Sequence, residues 1–180
     1  MKGVVFTEFL EMVEETYSPE VVDEIIEGAE LKSGGAYTAV GTYPHQEMID
    51  LAGALSERTG ELLPDLMQSF GHHLLGRFGQ LYPEFFDGVS DTFAFLETLE
   101  NHIHREVLKL YPEAELPRFD YVRPDDDTLI LHYRSVRPFA DLAEGLLHGC
   151  IEYWRESVRV DREDLDGLPG THARFTLKRQ

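Results

Sequence analysis

Apolar residues recur at helical spacing through roughly the first two-thirds of the chain, which predicts a mainly helical N-terminal part. After a first helix near the start, Ser18 and Pro19 form a cap and first-turn pair that predicts the beginning of a second. Three further helices are predicted at about 44–58, 63–81 and 90–111. The last of these is expected to be one continuous helix, capped by the serine at its first position.

The pattern changes beyond residue 117, where alternating apolar and polar positions predict strands rather than helices. The order is a hairpin, a helix and a second hairpin, at about 119–122, 128–134, 139–155, 157–160 and 173–177. This order predicts an α+β fold, with a helical N-terminal part packed on a C-terminal helix and a small antiparallel sheet. No repeat or linker interrupts the pattern, so residues 1–180 are expected to form a single domain.

Composition narrows the possible functions. The chain has 34 acidic and 16 basic residues and a formal net charge of −18, which disfavours nucleic-acid and membrane-surface binding. Glutamates interrupt the apolar N-terminus, so it resembles neither a signal peptide nor a membrane span. The single cysteine, Cys150, excludes an intramolecular disulfide, a zinc site with several cysteines and covalent attachment of a c-type haem. These features predict a cytoplasmic protein.

Two of the eight histidines lie on the predicted helix at 90–111. His102 falls on its more polar flank, whereas His104 lies beside the apolar stripe, on the side shared by Phe93, Leu108 and Tyr111. A single histidine that projects from an apolar helix face is what an axial haem ligand requires. A buried core histidine with a structural role has the same pattern.

The predicted strand at 128–134 and the residues after it carry Tyr133, Ser135 and Arg137 on one face. A phenol, a hydroxyl and a guanidinium in line can donate hydrogen bonds to carboxylates, such as the two propionates of haem. A sheet edge with a solvated arginine has the same pattern. The sequence contains no nucleophile elbow, P-loop or dinucleotide fingerprint, so no enzymatic activity is predicted.

In their order and spacing, these features resemble the H-NOX (haem nitric oxide/oxygen-binding) family, whose members include bacterial stand-alone proteins and the sensor domain of soluble guanylate cyclases. The resemblance rests on IHREVLKLYP from residue 103, on Leu116-Pro117-Arg118 and on Tyr133-x-Ser135-x-Arg137. It implies a non-covalent haem b, buried between the helical part and the sheet. His104 would be the axial iron ligand, the Tyr-x-Ser-x-Arg residues would bind the propionates, and Pro117 would press on the haem.

The resemblance also implies which residues surround the bound gas. Oxygen-binding members use a distal tyrosine on the helix after the Tyr-x-Ser-x-Arg motif, and the matching residue here is Leu142. Leu74, Phe9, Val5 and Leu146 are expected to complete the distal pocket. Without a donor to iron-bound oxygen, the pocket lacks a charge-assisted hydrogen bond worth about 1.5–3 kcal/mol. The expected ligands are therefore nitric oxide and carbon monoxide, with oxygen excluded.

In this interpretation, nitric oxide releases His104 from the iron, and the proximal helix and sheet then shift. The signal would act in trans on a histidine kinase or a diguanylate cyclase, since the domain uses the whole chain. Three alternatives remain open. The chain could be an oxygen or redox sensor with another distal donor, such as His73; a haem enzyme or haem carrier; or a binding module without haem, whose Tyr-x-Ser-x-Arg motif holds some other carboxylate.

Overall fold

The computed structural model describes residues 1–165 and 167–180, and of Leu110 the backbone only. The helices are α1 Gly3–Thr16, α2 Pro19–Gly28, α3 His45–Thr59, α4 Leu63–Leu81, α5 Thr92–Glu97, α6 His104–Leu110 and α7 Ala140–Tyr153. The strands are β1 Arg118–Asp125, β2 Thr128–Arg134, β3 Val158–Asp164 and β4 His172–Arg179. They form one antiparallel sheet in the order β1-β2-β4-β3, so the predicted α+β class is confirmed.

Local capping explains several of the helix boundaries. The Ser18 hydroxyl accepts a hydrogen bond from the backbone N–H of Val21 at 3.4 Å, so the predicted start of α2 is confirmed. Gly60 ends α3 in the left-handed conformation, with φ of 79°, which a residue without Cβ adopts at little cost. No helix in the described residues is long and apolar enough to cross a membrane.

The predicted continuous helix at 90–111 is wrong, because the structure has three shorter pieces there. Helix α5 ends at Glu97, a π-helical turn spans Leu99–Ile103, and α6 begins at His104. In the π turn the N–H of Ile103 reaches the carbonyl of Thr98, five residues earlier, at 3.2 Å. The predicted cap is also wrong, because the first helix of this region is capped by Asp91 rather than by Ser90.

Two apolar cores meet at the crossing of α4 and α7. One core lies among the four N-terminal helices, and the other lies between α5, α7 and the sheet. The helices cross very closely because glycines face the contact: a Cβ on Gly145 would lie 2.0 Å from the carbonyl oxygen of Gln68. A Cβ on Gly71 would lie 2.2 Å from the carbonyl oxygen of Leu142. The crossing therefore joins the helical part to the sheet with no room for larger residues.

Candidate functional site

A cavity of about 780 Å³ lies between the helical part and the sheet, with its wall formed by α1, α4, α6, α7 and the end of β2. Its size is typical of small-molecule and cofactor sites. Most of the wall is aliphatic or aromatic, and polar side chains are concentrated in two places. One contains His104 of α6, and the other contains the Tyr-x-Ser-x-Arg residues and the N-terminus.

His104 is the first residue of α6, and its side chain, 15% exposed, lines the cavity. Its Nδ1 is 3.1 Å from a carboxylate oxygen of Glu100, which leaves Nε2 as the ring nitrogen available to a metal. Burial lowers the pKa of His104, and the Glu100 carboxylate opposes that shift. The imidazole is therefore neutral at neutral pH, which is the form that binds metals.

The rest of the helix face around His104 differs from the prediction. Phe93 is fully buried outside the cavity wall, and Leu108 is 40% exposed. Tyr111, expected on the same side of the helix as His104, lines the cavity together with Ile103. The π turn explains the position of Phe93, because one extra residue rotates α6 by about 100° relative to α5.

Tyr133, Ser135 and Arg137 come together on the cavity wall, as their spacing predicts. The Ser135 hydroxyl accepts from the backbone N–H of Arg137 at 3.0 Å, which fixes the turn between them. Burial raises the pKa of Tyr133, so its hydroxyl stays protonated. The guanidinium of Arg137 pairs with Glu115, but its Nε is buried without a hydrogen-bond partner. That unused donor fits a carboxylate of a bound ligand.

The nitrogen-bearing groups near Arg137 were not predicted from the sequence. The N-terminal amine of Met1, which donates to the carbonyl of Tyr43 at 2.7 Å, lines the same part of the cavity with Lys2 and His45. Burial lowers the pKa of the Met1 amine and that of His45, and the positive charge of Arg137 adds to both shifts. Lys2 pairs with Glu113, and Arg137 pairs with Glu115. Both carboxylates line the same part of the wall, so an anionic ligand would compete with them for the two positive side chains.

Four of the five predicted distal residues line the cavity: Val5, Leu74, Leu142 and Leu146. The fifth, Phe9, does not. It is fully buried in the N-terminal core, where its ring meets that of Phe70 edge-on at 5.1 Å. Phe9 lies about one helical turn beyond Val5 along α1, and that turn carries it past the cavity.

The two polar side chains that bear on oxygen binding are His73 and Tyr82. His73, which the oxygen-sensor alternative requires, does not lie on the cavity wall, and its Nε2 is buried without a hydrogen-bond partner. Tyr82, just after the end of α4, does lie on the wall, and burial raises its pKa. No pattern in the sequence selects this tyrosine, because it follows the last periodic position of α4.

Two further residues that the sequence analysis singled out, Pro117 and Cys150, also lie on the cavity wall. Pro117 precedes β1 and lines the cavity. The thiol of Cys150 is buried, and burial raises its pKa well above the usual range. Taken together, the wall provides an imidazole, an unused buried guanidinium donor and an apolar lining, and these residues fit a haem with its two propionates.

Comparison with known proteins gives the same family as the motifs. The family model described as "Haem-NO-binding" matches residues 2–162. The unliganded Fe(II) H-NOX protein from K. algicida superposes with a TM-score of 0.94 at 36% identity, covering 100% of this chain and 97% of that one. The H-NOX from Shewanella woodyi, solved with IWP-051 in the Fe(II)CO ligation state, has 40% identity and a TM-score of 0.85, covering 100% and 95%.

A longer relative extends the comparison to eukaryotes. The protein "Soluble guanylate cyclase 89Db" of Drosophila melanogaster is 27% identical over 139 residues, or 76% of this chain. Those residues are 20% of the relative, so the chain spans about a fifth of its length. With a family model that covers most of its residues, and a fold shared with the bacterial structures, the chain belongs to the Haem-NO-binding (H-NOX) family of haem-based gas sensors.

Proposed function

We propose that this protein is a nitric oxide sensor that holds haem b non-covalently, with His104 as the axial ligand of the iron. The observation that carries the proposal is the arrangement of His104: it lies on an apolar cavity wall, with Nδ1 engaged by Glu100 and Nε2 available. A second histidine, His45, also lines the cavity. It lies near Arg137 and the N-terminal amine, at the part of the wall that holds the Tyr-x-Ser-x-Arg residues, and among the described residues it lacks the carboxylate partner that orients His104.

The propionates would be held by Tyr133, Ser135 and Arg137. Each can donate a hydrogen bond, and the guanidinium is the strongest donor of the three because it is charged. The buried, unpartnered Nε of Arg137 supports this role. Pro117, on the same wall, would pack against the haem and limit how flat it lies.

Selectivity for nitric oxide would follow from the aliphatic side chains on the distal side. A ferrous haem supplies an iron that binds nitric oxide and carbon monoxide without help from a hydrogen-bond donor. Val5, Leu74 and Leu142 offer no such donor, so the polar oxygen complex would lack about 1.5–3 kcal/mol of stabilisation. The related S. woodyi protein has been solved in a carbon monoxide complex, which supports binding of this second ligand here.

We infer that residues 1–180 act as one sensor domain without catalytic activity of its own. The polar residues of the wall are assigned to holding a ligand, and the family consists of sensor domains. The signal would then act in trans, on a histidine kinase or a diguanylate cyclase. With haem bound, His104 would attach α6 to the group, and α6 is short and carries no buried side chain among residues 104–109.

The test is the absorption spectrum of the ferrous protein before and after nitric oxide, and then in air. We expect a five-coordinate ferrous haem that binds nitric oxide and forms no stable oxygen complex. His104→Gly should lose the haem or require added imidazole to restore the wild-type spectrum. His45→Ala is the matched control, since it removes the other imidazole on the wall and should leave the coordination unchanged.

Two results would contradict the proposal in different ways. A stable oxygen complex would mean that a donor reaches the distal side, and Tyr82→Phe would then show whether that donor is Tyr82. A protein that takes up no haem, even after reconstitution, would leave the fold assignment intact and overturn the function. In that case the Tyr-x-Ser-x-Arg motif would hold some other carboxylate.

A further inference from the structure

We propose that Glu100 is a positioning residue for His104, and that its carboxylate links the iron ligand to strand β1 through a single oxygen atom. The inference rests on the proposed function, because it concerns the same axial ligand. It adds a residue that the sequence motifs did not select and states how the proximal histidine is connected to the sheet.

The geometry is a three-group contact. The same oxygen of Glu100, Oε1, lies 3.1 Å from Nδ1 of His104 and accepts the backbone N–H of Phe119 at 2.8 Å. Glu100 lies in the π turn, four residues before His104, whereas Phe119 is the second residue of β1. One carboxylate therefore connects the π turn, the ring of His104 and the first part of the sheet.

The contact is reinforced by ring packing on the same side. The ring of Phe119 lies 6.1 Å from that of His104 and 5.4 Å from that of Tyr133. The aromatic ring next to the Glu100 contact thus connects the axial ligand with the first residue of the Tyr-x-Ser-x-Arg motif. A displacement of His104 would reach β1 both through the carboxylate and through this ring.

A carboxylate hydrogen-bonded to the second nitrogen of a metal-bound histidine has two effects. It fixes the proton on Nδ1, so that Nε2 is left for the metal, and it raises the basicity of the imidazole. A more basic ligand binds iron more strongly and favours its oxidised state. Glu100 should therefore strengthen the bond to His104 and lower the reduction potential, while its second hydrogen bond holds the start of β1.

Strand β1 is placed so that a displacement of His104 would change the surface of the protein. It is an edge strand, paired only with β2 on one side, and its side chains from Asp120 to Asp125 are exposed. A change in the first residues of β1 would thus alter a surface of the protein rather than its core. This gives a short physical route from the iron ligand to the exterior, through Glu100 and the amide of Phe119.

Two variants separate the effect of the negative charge of Glu100 from the effect of its two hydrogen bonds. Glu100→Gln keeps an oxygen that can accept both hydrogen bonds but removes the negative charge, whereas Glu100→Ala removes both. Glu106→Gln is the matched control, because Glu106 follows His104 on α6 and pairs with Lys109 at the surface. All three are compared with wild type as haem-loaded proteins. The measurements are the iron–histidine stretching frequency, the reduction potential and the exchange of the Phe119 amide in the diamagnetic carbon monoxide complex.

We expect Glu100→Gln to lower the stretching frequency and raise the potential while the Phe119 amide stays protected. Glu100→Ala should change both spectroscopic values and also increase amide exchange by about ten-fold, the loss expected for one hydrogen bond to a charged group. Glu106→Gln should match wild type in every measurement. A purely structural role for Glu100 would move the amide exchange but not the frequency or the potential.

The outcomes also distinguish this inference from the proposed function. If wild type shows an iron–histidine mode that Glu100→Gln leaves unchanged, the positioning role is overturned and the sensor proposal stands. If Glu100→Ala leaves the Phe119 amide fully protected, the link to β1 is overturned. A wild-type protein with no iron–histidine mode overturns the axial assignment of His104 and this inference with it.

Discussion

The two sides of the cavity are built in opposite ways. The distal wall, formed by α4 and α7, consists of helices of 19 and 14 residues that cross at glycines with no spare space. The proximal wall, formed by α5, the π turn and α6, consists of pieces of 6, 5 and 7 residues. From 101 to 109 on the proximal wall no side chain is buried, whereas α4 and α7 each contribute at least six buried residues.

The difference teaches where a small chemical event can have a large effect. A densely packed wall keeps the shape of the gas pocket fixed, since interiors at this density deform only at high cost. A short, weakly packed segment has little contact energy to lose when it moves. The residue proposed to bind iron lies in the weakly packed part of the proximal wall, residues 101–109, where α6 begins after the π turn.

The largest loss of stability is expected when one carbon is added where α4 and α7 cross in the distal wall. Gly145→Ala places a Cβ 2.0 Å from the carbonyl oxygen of Gln68, so the helices must separate, and we expect a loss of about 3 kcal/mol in unfolding free energy. Gly76→Ala is the control on α4, where a Cβ meets nothing within 4 Å and should stabilise the helix by up to about 1 kcal/mol. Urea unfolding of the haem-loaded variants measures both, and equal stabilities would contradict the packing argument.

The comparison between the walls can be measured directly by amide hydrogen exchange. Because local opening of the proximal wall disrupts fewer buried contacts, we expect residues 104–109 to exchange about thirty-fold faster than residues 66–75, a difference of about 2 kcal/mol in opening free energy. Peptide-resolved mass spectrometry of the ferrous protein provides the rates. Equal protection of both segments would show that the short proximal helices are held by contacts as strong as those of the distal pair.

The smallest effect is expected at the end of the distal wall. Arg155, just beyond α7, has a φ of 54°, a left-handed conformation that is unfavourable for a residue with Cβ. Arg155→Gly should remove this strain and raise the melting temperature by about 3 °C, corresponding to about 1 kcal/mol. Arg155→Ala keeps the strain and is the control. A gain in both variants would assign the effect to the arginine side chain instead.

Much of the fold was predictable because its elements follow a single periodic pattern. Helix α4 and strand β2 were predicted at their observed bounds, Leu63–Leu81 and Thr128–Arg134, since apolar periodicity and turn residues agree there. The π turn was not predictable in this way. Its residues continue the apolar stripe, and the contact that Glu100 of this turn makes with the amide of Phe119 joins residues 19 positions apart in the sequence.

In the candidate site too, the residues that a local pattern places were predicted, and those that only the fold brings together were not. Tyr133, Ser135 and Arg137 were found because alternation along an extended segment places them on one face. The Met1 amine and His45 were missed, since only the fold brings the N-terminus and the start of α3 to the cavity. Phe9 was expected in the distal pocket from the resemblance alone, and the sequence does not give the point along α1 where the cavity ends.

The buried thiol on the cavity wall has a consequence for coordination chemistry. Thiolates are among the strongest ligands of iron in proteins, and a cysteine near the iron could in principle compete with an imidazole. Burial raises the pKa of Cys150, so its sulfur keeps its proton when no metal is bound. A metal that bound this sulfur would have to displace that proton, a cost that the neutral imidazole of His104 does not carry.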